Sequence, residues 1–288
     1  MARVSIGVPT YNGVEFIAEC LTCLQGQTFE DFEVFISDNG STDGTSDICA
    51  DFARRDTRFR HVRFETTIPA GENFSRARDM TSAPYFMWRA DDDLAEPDHL
   101  RGLVAGLDAA PDASIAVAPI LRRIYAPQYR EQVYELPVIS ESSQAGKIRQ
   151  LLLGCHPSWF YGLWKRDVAV NDWDFVTQNY PHLWASDHLA MLPSIIDGKI
   201  VLVPEAKFIQ RISRVASYHL PPESLLKARK RYVELGRAFL DARAFTAQDR
   251  RYMDKTLTLH VERRVAPLRK TYKRFIKQKF RAMFSRPA

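Results

Sequence analysis

The first 110 residues alternate short apolar runs with amphipathic runs, and this alternation restricts the fold more than any other feature. It predicts strands over residues 4–8, 32–36, 61–64 and 85–88. It predicts helices over residues 15–24, 45–54, 73–80 and 97–109. A strand–helix order with short connections is typical of a mostly parallel sheet with helices on both faces. The expected fold class is therefore α/β, with a Rossmann-like sheet.

The second half of the chain is less regular. We predict strands over residues 114–121, 159–164 and 199–203, and helices over residues 144–153 and 186–196. From residue 222 the pattern is helical, with interruptions near Thr246 and at Pro267. We therefore expect residues 1–110 and 111–220 to be two halves of one α/β domain, followed by a helical extension over residues 221–288.

Polar clusters follow three of the predicted strands, at residues 9–12, 38–44 and 91–93. Ligands of open α/β sheets bind beyond the carboxyl ends of the strands. The third cluster is Asp91, Asp92 and Asp93, and three adjacent carboxylates are unfavourable unless a positive group lies among them. Mg²⁺ or Mn²⁺ suits such a position, because these ions bind carboxylates together with substrate phosphates. A solvated acidic turn that caps the next helix is the alternative.

Three segments resemble family 2 glycosyltransferases: residues 5–12 (SIGVPTYN), residues 36–45 (ISDNGSTDGT), and the acidic triplet with Pro97 four residues beyond it. The resemblance is close over residues 3–110 and loose over residues 150–215. It implies a GT-A fold and inverting transfer of a sugar from a nucleoside diphosphate donor. A bound metal would neutralise the charge that develops on the leaving diphosphate without any proton transfer.

The resemblance also implies roles for the acids. Asp93 would be the direct metal ligand, and Asp91 or Asp92 would contact metal-bound water or the donor ribose. Alignment on Pro97 makes Asp92 and Asp93 the acidic pair of the family and leaves Asp91 in a less usual position. His219 is a further candidate ligand.

The base pocket follows from the same resemblance. Asp38 would accept a hydrogen bond from the imide N–H of uracil or thymine, and Pro9, Thr10 and Tyr11 would form the pocket floor. An ordinary turn-forming aspartate before Asn-Gly is the alternative for Asp38.

Arginines near the site are candidates for the diphosphate. Arg76 and Arg78, on the helix before the acidic strand, would reach the diphosphate or pair with the acids; a solvated helix face is the alternative. Arg211 and Arg214 follow the last predicted strand, in a region that closes over the diphosphate in the family.

An inverting transferase needs a general base for the acceptor hydroxyl. Asp187, at a predicted helix start, lies where the family carries its base. Ser186 or Asp187 could instead be the helix N-cap, and His188 is the alternative base. His156 and Trp159 carry rings suited to stacking on an acceptor sugar, although core packing explains Trp159 equally well.

The net charge of +5 is unevenly distributed. Residues 261–288 carry ten Arg/Lys and one acid, a local charge of +9, and the remaining 260 residues carry −4. A nucleic-acid-binding core is therefore not indicated. Phe275, Ile276, Phe280, Met283 and Phe284 recur at helical spacing among the cations, which predicts an interfacial helix on an anionic membrane. Packing on the catalytic domain, a dimer contact and a disordered basic end are the alternatives.

Cysteine positions and hydropathy indicate where in the cell the protein is expected. Cys20 and Cys23 form a C-x-x-C inside an amphipathic run, which indicates core thiols rather than a redox or zinc site. No 18-residue apolar run is present. We expect a cytoplasmic protein, at the inner face of the cytoplasmic membrane if the tail binds lipid.

These features predict a metal-dependent inverting glycosyltransferase. It would transfer a sugar from a UDP- or dTDP-sugar to a saccharide or lipid-linked acceptor, in the assembly of cell-surface polysaccharide or lipopolysaccharide. A sugar nucleotidyltransferase is an alternative, but residues 9–12 replace its Gly- and Arg/Lys-rich phosphate loop. A phosphohydrolase of the D-x-D-x-T type is disfavoured, because Leu94 and Ala95 follow the acids. A catalytically silent nucleotide-sugar-binding or membrane-scaffold protein is the alternative from another class.

Overall fold

The computed structural model describes residues 2–125, 127–213 and 221–284, with side chains described as far as residue 277. The chain divides into two compact units, each assembled from separate stretches. Unit 1 comprises Met1–Leu136, His156–Thr177 and Lys199–Val215, and unit 2 comprises Pro137–Cys155, Gln178–Gly198 and Ala216–Ala288. The boundaries of these units differ from the predicted boundaries at residues 110 and 220. The division into a nucleotide-sugar-binding half and an acceptor-binding half remains a prediction.

The described residues form eleven strands and ten α-helices. In chain order these are β1 (Val4–Thr10), α1 (Ile17–Gln25), β2 (Phe32–Asp38), α2 (Thr45–Arg55), β3 (Phe59–Arg63), α3 (Ala70–Asp79), β4 (Tyr85–Trp88), β5 (Leu94–Ala95), α4 (His99–Ala109), β6 (Ile115–Val117), β7 (Ile120–Ile124), β8 (Arg130–Tyr134), α5 (Gln144–Gly154), β9 (Leu163–Lys165), α6 (Arg166–Asn179), α7 (Ser186–Ile196), β10 (Ile200–Leu202), β11 (Phe208–Ile212), α8 (Pro222–Asp241), α9 (Ala247–His260) and α10 (Leu268–Phe284). A 3-10 segment (Pro157–Tyr161) precedes β9, and a π-helical segment (Val261–Val265) follows α9.

Unit 1 contains a seven-stranded sheet in the order β10-β6-β9-β4-β1-β2-β3. Strand β1 is parallel to both β2 and β4, β2 is parallel to β3, and β10 is parallel to β6; only β9 is antiparallel to its neighbours. The predicted α/β fold class is confirmed. The register places Thr10, the last residue of β1, opposite Asp38, the last residue of β2.

Central strand β1 is buried along its whole length, as expected for a strand with helices on both faces. The packing against α3 is close at Gly7. A Cβ there would lie 2.9 Å from the Phe86 ring and 3.1 Å from the Ala77 carbonyl oxygen. Only glycine lets this helix approach the strand so closely.

Two predicted strands are wrong in detail. The strand predicted over residues 114–121 is two strands, because Pro119 separates β6 in the large sheet from β7 in a second sheet of order β5-β11-β7-β8. The strand predicted over residues 159–164 begins as the 3-10 segment instead, with Pro157 at its start and Trp159 and Phe160 buried in the core. Only Leu163–Lys165 is a strand.

Unit 2 is helical. Helix α5 packs on α7 and α9, and α8 packs on α7, α9 and α10. The predicted helix over residues 186–196 has the bounds of α7, and the interruption near Thr246 is confirmed: the Thr246 hydroxyl accepts the Asp249 N–H (3.0 Å) and caps α9. Within the described residues, no helix has the length and apolar composition needed to cross a bilayer.

Candidate active site

The carboxyl ends of β1, β2 and β4 bring the three predicted polar clusters of unit 1 together. The Asn39 N–H donates to the Thr10 carbonyl (2.9 Å), which joins the end of β2 to β1. The Thr10 hydroxyl donates to Asp91 Oδ2 (2.5 Å), which joins β1 to the acidic turn after β4. Thr10 is thus the residue that connects all three strand ends.

The Asp91 carboxylate is packed beneath the loop that follows β1. A Cβ on Gly13 would lie 2.5 Å from Asp91 Oδ2 and 3.0 Å from Thr10 Oγ1, so only glycine leaves the Asp91 carboxylate in its present position. Burial, followed by the neighbouring Asp92 charge, raises the pKa of Asp91 to about 6, against the lowering effect of the Thr10 hydrogen bond. The sequence reasoning misses Gly13, whose only signal is a glycine just beyond the first strand.

Asp93 joins the acidic turn to the second sheet. It is buried, and its Oδ1 accepts the backbone N–H of Arg211 on β11 (2.8 Å). The Arg211 guanidinium donates to the Asp92 carbonyl and to the Glu19 carboxylate on α1. Burial and the Asp92 charge raise the pKa of Asp93, against the influence of Arg211 and Arg89. The role of direct metal ligand stays a prediction for Asp93.

The acidic turn offers two partly exposed carboxylates to a divalent metal. Among the described residues, no three His, Cys, Asp or Glu side chains are grouped as a metal site. Asp91 and Asp92 are half-buried, however, whereas Asp93 is buried. One or two carboxylates are what Mg²⁺ uses when substrate phosphates and water complete its shell. The residues therefore fit a metal that binds together with a diphosphate. His219 and Arg214 lie outside the described residues.

Asp38 is wholly buried and organises the turn after β2. Its Oδ1 accepts the Ser41 N–H (2.8 Å), its Oδ2 accepts the Ser46 hydroxyl, and His61 Nε2 lies 3.5 Å from Oδ2. Burial raises the pKa of Asp38, but the hydrogen bonds from Ser46 and Ser41 outweigh it, and the pKa is lowered overall. The structure thus shows the turn-forming role, and the hydrogen bond to a base stays a prediction.

The two predicted arginines lie in different places. Arg76 donates to the Asn39 side chain at the end of β2 (Nη2 to Oδ1, 2.9 Å), and its guanidinium stacks on the Phe64 ring at 3.7 Å. Arg78 is buried and forms an ion pair with Asp174 (2.7 Å). The structure therefore holds Arg76 beside the strand-end turns and does not bring Arg78 to the acidic turn.

The loop after β1 is fixed to the loop after β2. Asn12, in the left-handed region (φ 52), donates its N–H to the Ser41 hydroxyl (2.9 Å) and accepts the Thr42 N–H at its side chain (2.9 Å). Pro9 is buried within β1, whereas Tyr11 is 51% exposed. Of the predicted pocket floor, the Tyr11 ring is therefore the part available for stacking.

Asp187 lies in unit 2, in the first turn of α7. Its side chain accepts the His188 N–H (2.7 Å), and burial raises its pKa to about 6. The N-cap is Ala185 without a side-chain cap, and Ser186 donates its hydroxyl to the Leu183 carbonyl (2.8 Å), so the capping alternative is not observed. His188 is buried, and burial lowers its pKa to about 3, which makes it a weak base.

The two predicted acceptor rings belong to the interior of unit 1. His156 is buried, with Nε2 3.0 Å from Arg122 Nη2 and its ring 4.6 Å from the Tyr134 ring. Trp159 is 2% exposed. The core alternative given for Trp159 describes that side chain, and His156 is buried as well, so neither offers a ring face to a sugar in this structure.

The sequence matches the model of the family described as Glycosyl transferase family 2 over residues 5–163. A validoxylamine A glucosyltransferase from Streptomyces hygroscopicus subsp. jinggangensis is 28% identical over 188 residues, which are 63% of this chain and 42% of that protein. The chain spans about a third or less of the length of the first curated relatives it matches.

Solved structures show the same fold. The structure of S. aureus TarS residues 1–349 in complex with UDP-GlcNAc has a TM-score of 0.67 at 18% identity, covering 91% of this chain and 73% of that one. The mannosyltransferase PcManGT from Pyrobaculum calidifontis, in complex with GDP-Man and Mn²⁺, has a TM-score of 0.58 at 14% identity, covering 99% of this chain and 76% of that one. These similarities confirm the GT-A type of α/β fold.

Proposed function

Because this chain belongs to glycosyl transferase family 2, we propose that it is a metal-dependent inverting glycosyltransferase. It takes a UDP- or dTDP-sugar as donor and the hydroxyl of a saccharide or lipid-linked molecule as acceptor. The observation that carries this proposal is the Thr10–Asp91 hydrogen bond, which holds an acidic turn at the carboxyl edge of the sheet beside the loops after β1 and β2. The similarity to TarS in complex with UDP-GlcNAc supports a uridine nucleotide.

We propose that Asp92, with Asp91 beside it, would hold Mg²⁺ or Mn²⁺ in place of the predicted direct ligand Asp93, because Asp93 is buried and its Oδ1 accepts the Arg211 N–H. Bound with the diphosphate, the ion would neutralise the charge that develops on the leaving group. The Thr10 hydroxyl and Gly13 keep the Asp91 carboxylate in place, and Arg211 fixes the Asp92 backbone through its carbonyl. The Mn²⁺ complex of the similar mannosyltransferase supports this choice of ion.

Asp187 serves as the general base in this proposal. The acceptor hydroxyl oxygen forms a bond to the anomeric carbon while the bond from that carbon to the diphosphate oxygen breaks, and the hydroxyl proton passes to the Asp187 carboxylate. A base works best when its pKa lies near the working pH. A pKa of about 6 keeps the Asp187 carboxylate ionised at neutral pH and makes it more basic than an ordinary aspartate.

The proposal also includes the pathway and the cellular location of the reaction. We propose that the acceptor is a saccharide or lipid-linked saccharide used in the assembly of cell-surface polysaccharide or lipopolysaccharide. We propose that the reaction takes place in the cytoplasm, where it would use nucleotide sugars as donors.

Calorimetric titration tests the donor site. UDP, dTDP and GDP are titrated with and without Mn²⁺ into wild type, Asp92→Asn, Asp93→Ala and the control Glu96→Gln, an exposed acid just beyond the turn. We expect metal-dependent binding of UDP or dTDP that the control keeps and Asp92→Asn loses. A loss confined to Asp93→Ala would return the ligand role to Asp93.

Assays of donor hydrolysis and of sugar transfer distinguish an enzyme from a catalytically silent binding protein. Asp187→Asn should bind UDP with Mn²⁺ as wild type does and should transfer no sugar to an acceptor screen. Unchanged turnover in this variant would remove Asp187 as the base. Binding without turnover by wild type, across the UDP- and dTDP-sugars tested, would favour the silent alternative.

A further inference from the structure

Helix α10 of unit 2 presents an exposed apolar stripe. Leu268, Tyr272 and Ile276 are 45%, 52% and 43% exposed, and their spacing of four residues places them on one face of the helix. Thr271, on a different face, is 3% exposed where the helix packs against α8. The stripe is therefore a second apolar face of α10, beside the face that packs on its own unit.

Cations border this stripe on the flank away from Thr271. The five basic residues of the described side chains of α10 are all exposed: Arg269, Lys270, Lys273, Arg274 and Lys277. No acid occurs between Leu268 and Lys277. The acid nearest in sequence, Glu262, forms an ion pair with Arg229 on α8 (2.7 Å). The apolar stripe thus lies between the packed face of α10 and a strongly positive face.

A cavity of about 630 Å³ opens on the first turns of this helix. Leu268 and Tyr272 supply its apolar lining, and Arg269, Lys273 and Glu262 line it as well. Arg269 and Lys273 are four residues apart, so their cationic groups flank the same groove. A phosphate group with an attached apolar chain matches this combination of lining residues.

We propose that α10 is a membrane-docking helix that lies on an anionic phospholipid bilayer. The stripe enters the boundary between head groups and acyl chains, and the cations contact lipid phosphates. Self-association through this face would bring two sets of five cations together, and a nucleic acid would leave the stripe in water. Charge and apolar area together therefore favour the bilayer. The inference concerns attachment of the chain and does not depend on the donor chemistry.

Flotation with vesicles tests this docking. The full chain is mixed with phosphatidylglycerol–phosphatidylcholine vesicles and with pure phosphatidylcholine vesicles, at low and at high salt. We expect binding to the anionic vesicles alone, and release by salt, because exposed charges are screened. Equal binding to both kinds of vesicle, binding that salt does not weaken, or no binding at all would each overturn the proposal.

Paired substitutions distinguish binding through α10 from a nonspecific effect of positive charge elsewhere on the protein. Arg269→Gln with Lys273→Gln should weaken binding about 30-fold, because each basic residue near an anionic surface contributes about fivefold. Tyr272→Ser with Ile276→Ser should weaken it about tenfold through the lost apolar area. The control is Arg251→Gln with Lys255→Gln on α9, two exposed cations with the same spacing. An equal loss in this control would refute a specific role for α10.

Each variant needs its own fold control. All the substituted side chains are exposed, so far-UV circular dichroism and the melting temperature should match wild type. The wild-type comparison of vesicles and salt requires no variant, and it decides the proposal even if one substitution unfolds the helix. UDP titration of the same samples is independent of flotation, so failure of the docking and failure of the donor site give different results.

Discussion

Substituting Gly13 by alanine isolates the role of the Asp91 carboxylate. The added Cβ would lie 3.0 Å from Thr10 Oγ1 and 2.5 Å from Asp91 Oδ2, and the second distance is closer than unbonded atoms approach. The nearest atom is the end of a short side chain, so Asp91 can relieve the contact by rotating. Rotation breaks the 2.5 Å hydrogen bond from Thr10 and turns the carboxylate away from its position at the strand ends.

The expected magnitude follows from that one hydrogen bond. A hydrogen bond to a charged group is worth about 1.5–3 kcal/mol. If UDP and metal bind only when Asp91 is held in place, that whole cost appears in binding. Affinity for UDP in the presence of Mn²⁺ should then fall about 10- to 150-fold, while stability changes little because Asp91 is half-buried and can turn toward water.

Calorimetric titration and thermal melting measure the two quantities separately. The matched control is Gly71→Ala in α3, where an added Cβ meets nothing within 4 Å and should stabilise the helix by up to about 1 kcal/mol. Thr10→Val removes the same hydrogen bond from the other side, so Gly13→Ala and Thr10→Val combined should cost little more than either alone. Wild-type affinity in Gly13→Ala, or additive losses in the double variant, would refute the reasoning.

Two further predictions concern carboxylates with shifted pKa values. Because burial raises the pKa of Asp187 to about 6, the base form is lost below that pH, and kcat/KM for transfer should fall about tenfold per pH unit there; an unchanged profile in Asp187→Asn would contradict this. Folding lowers the pKa of Asp38, so its carboxylate stabilises the fold above the unfolded value of about 3.9 and loses this effect as pH falls through the folded value. Ser46→Ala should therefore reduce the unfolding free energy by about 1–2 kcal/mol at neutral pH and by less in acid, as measured by urea denaturation, whereas the exposed Thr42→Ala should not.

The sequence predicts the first half of the sheet well because each element there carries its own signal. The run Tyr85–Trp88 has the bounds of β4, and the predicted helix over residues 45–54 differs from α2 by one residue. Short strand–helix–strand connections favour adjacent parallel strands, as observed for β1-β2-β3, whereas β4 pairs with the other edge of β1. Local burial patterns and short connections suffice for this part.

Long-range pairing decides the parts that the sequence does not predict. Strand β9 has three residues and is inserted antiparallel between β4 and β6, so its apolar pattern is too short to define a strand. Strand β11 carries the buried Arg211 as its fourth residue. It pairs with β7, where Gln210 lies opposite Arg122, 88 residues earlier in the chain. A buried arginine inside a strand has no signature in hydrophobic periodicity, because its partners lie on other elements.

The assignment within the acidic triplet shows how this limits a site prediction. Three adjacent aspartates look equivalent in sequence, but Thr10 holds Asp91 from the side of β1 and the Arg211 N–H holds Asp93 from the side of β11. Asp92 lies between them, with its carbonyl fixed by Arg211 and its side chain half-buried. These anchors hold the turn without using the Asp92 carboxylate. Asp92 is therefore the acid that this fold leaves most available to a metal and a diphosphate, with Asp91 beside it.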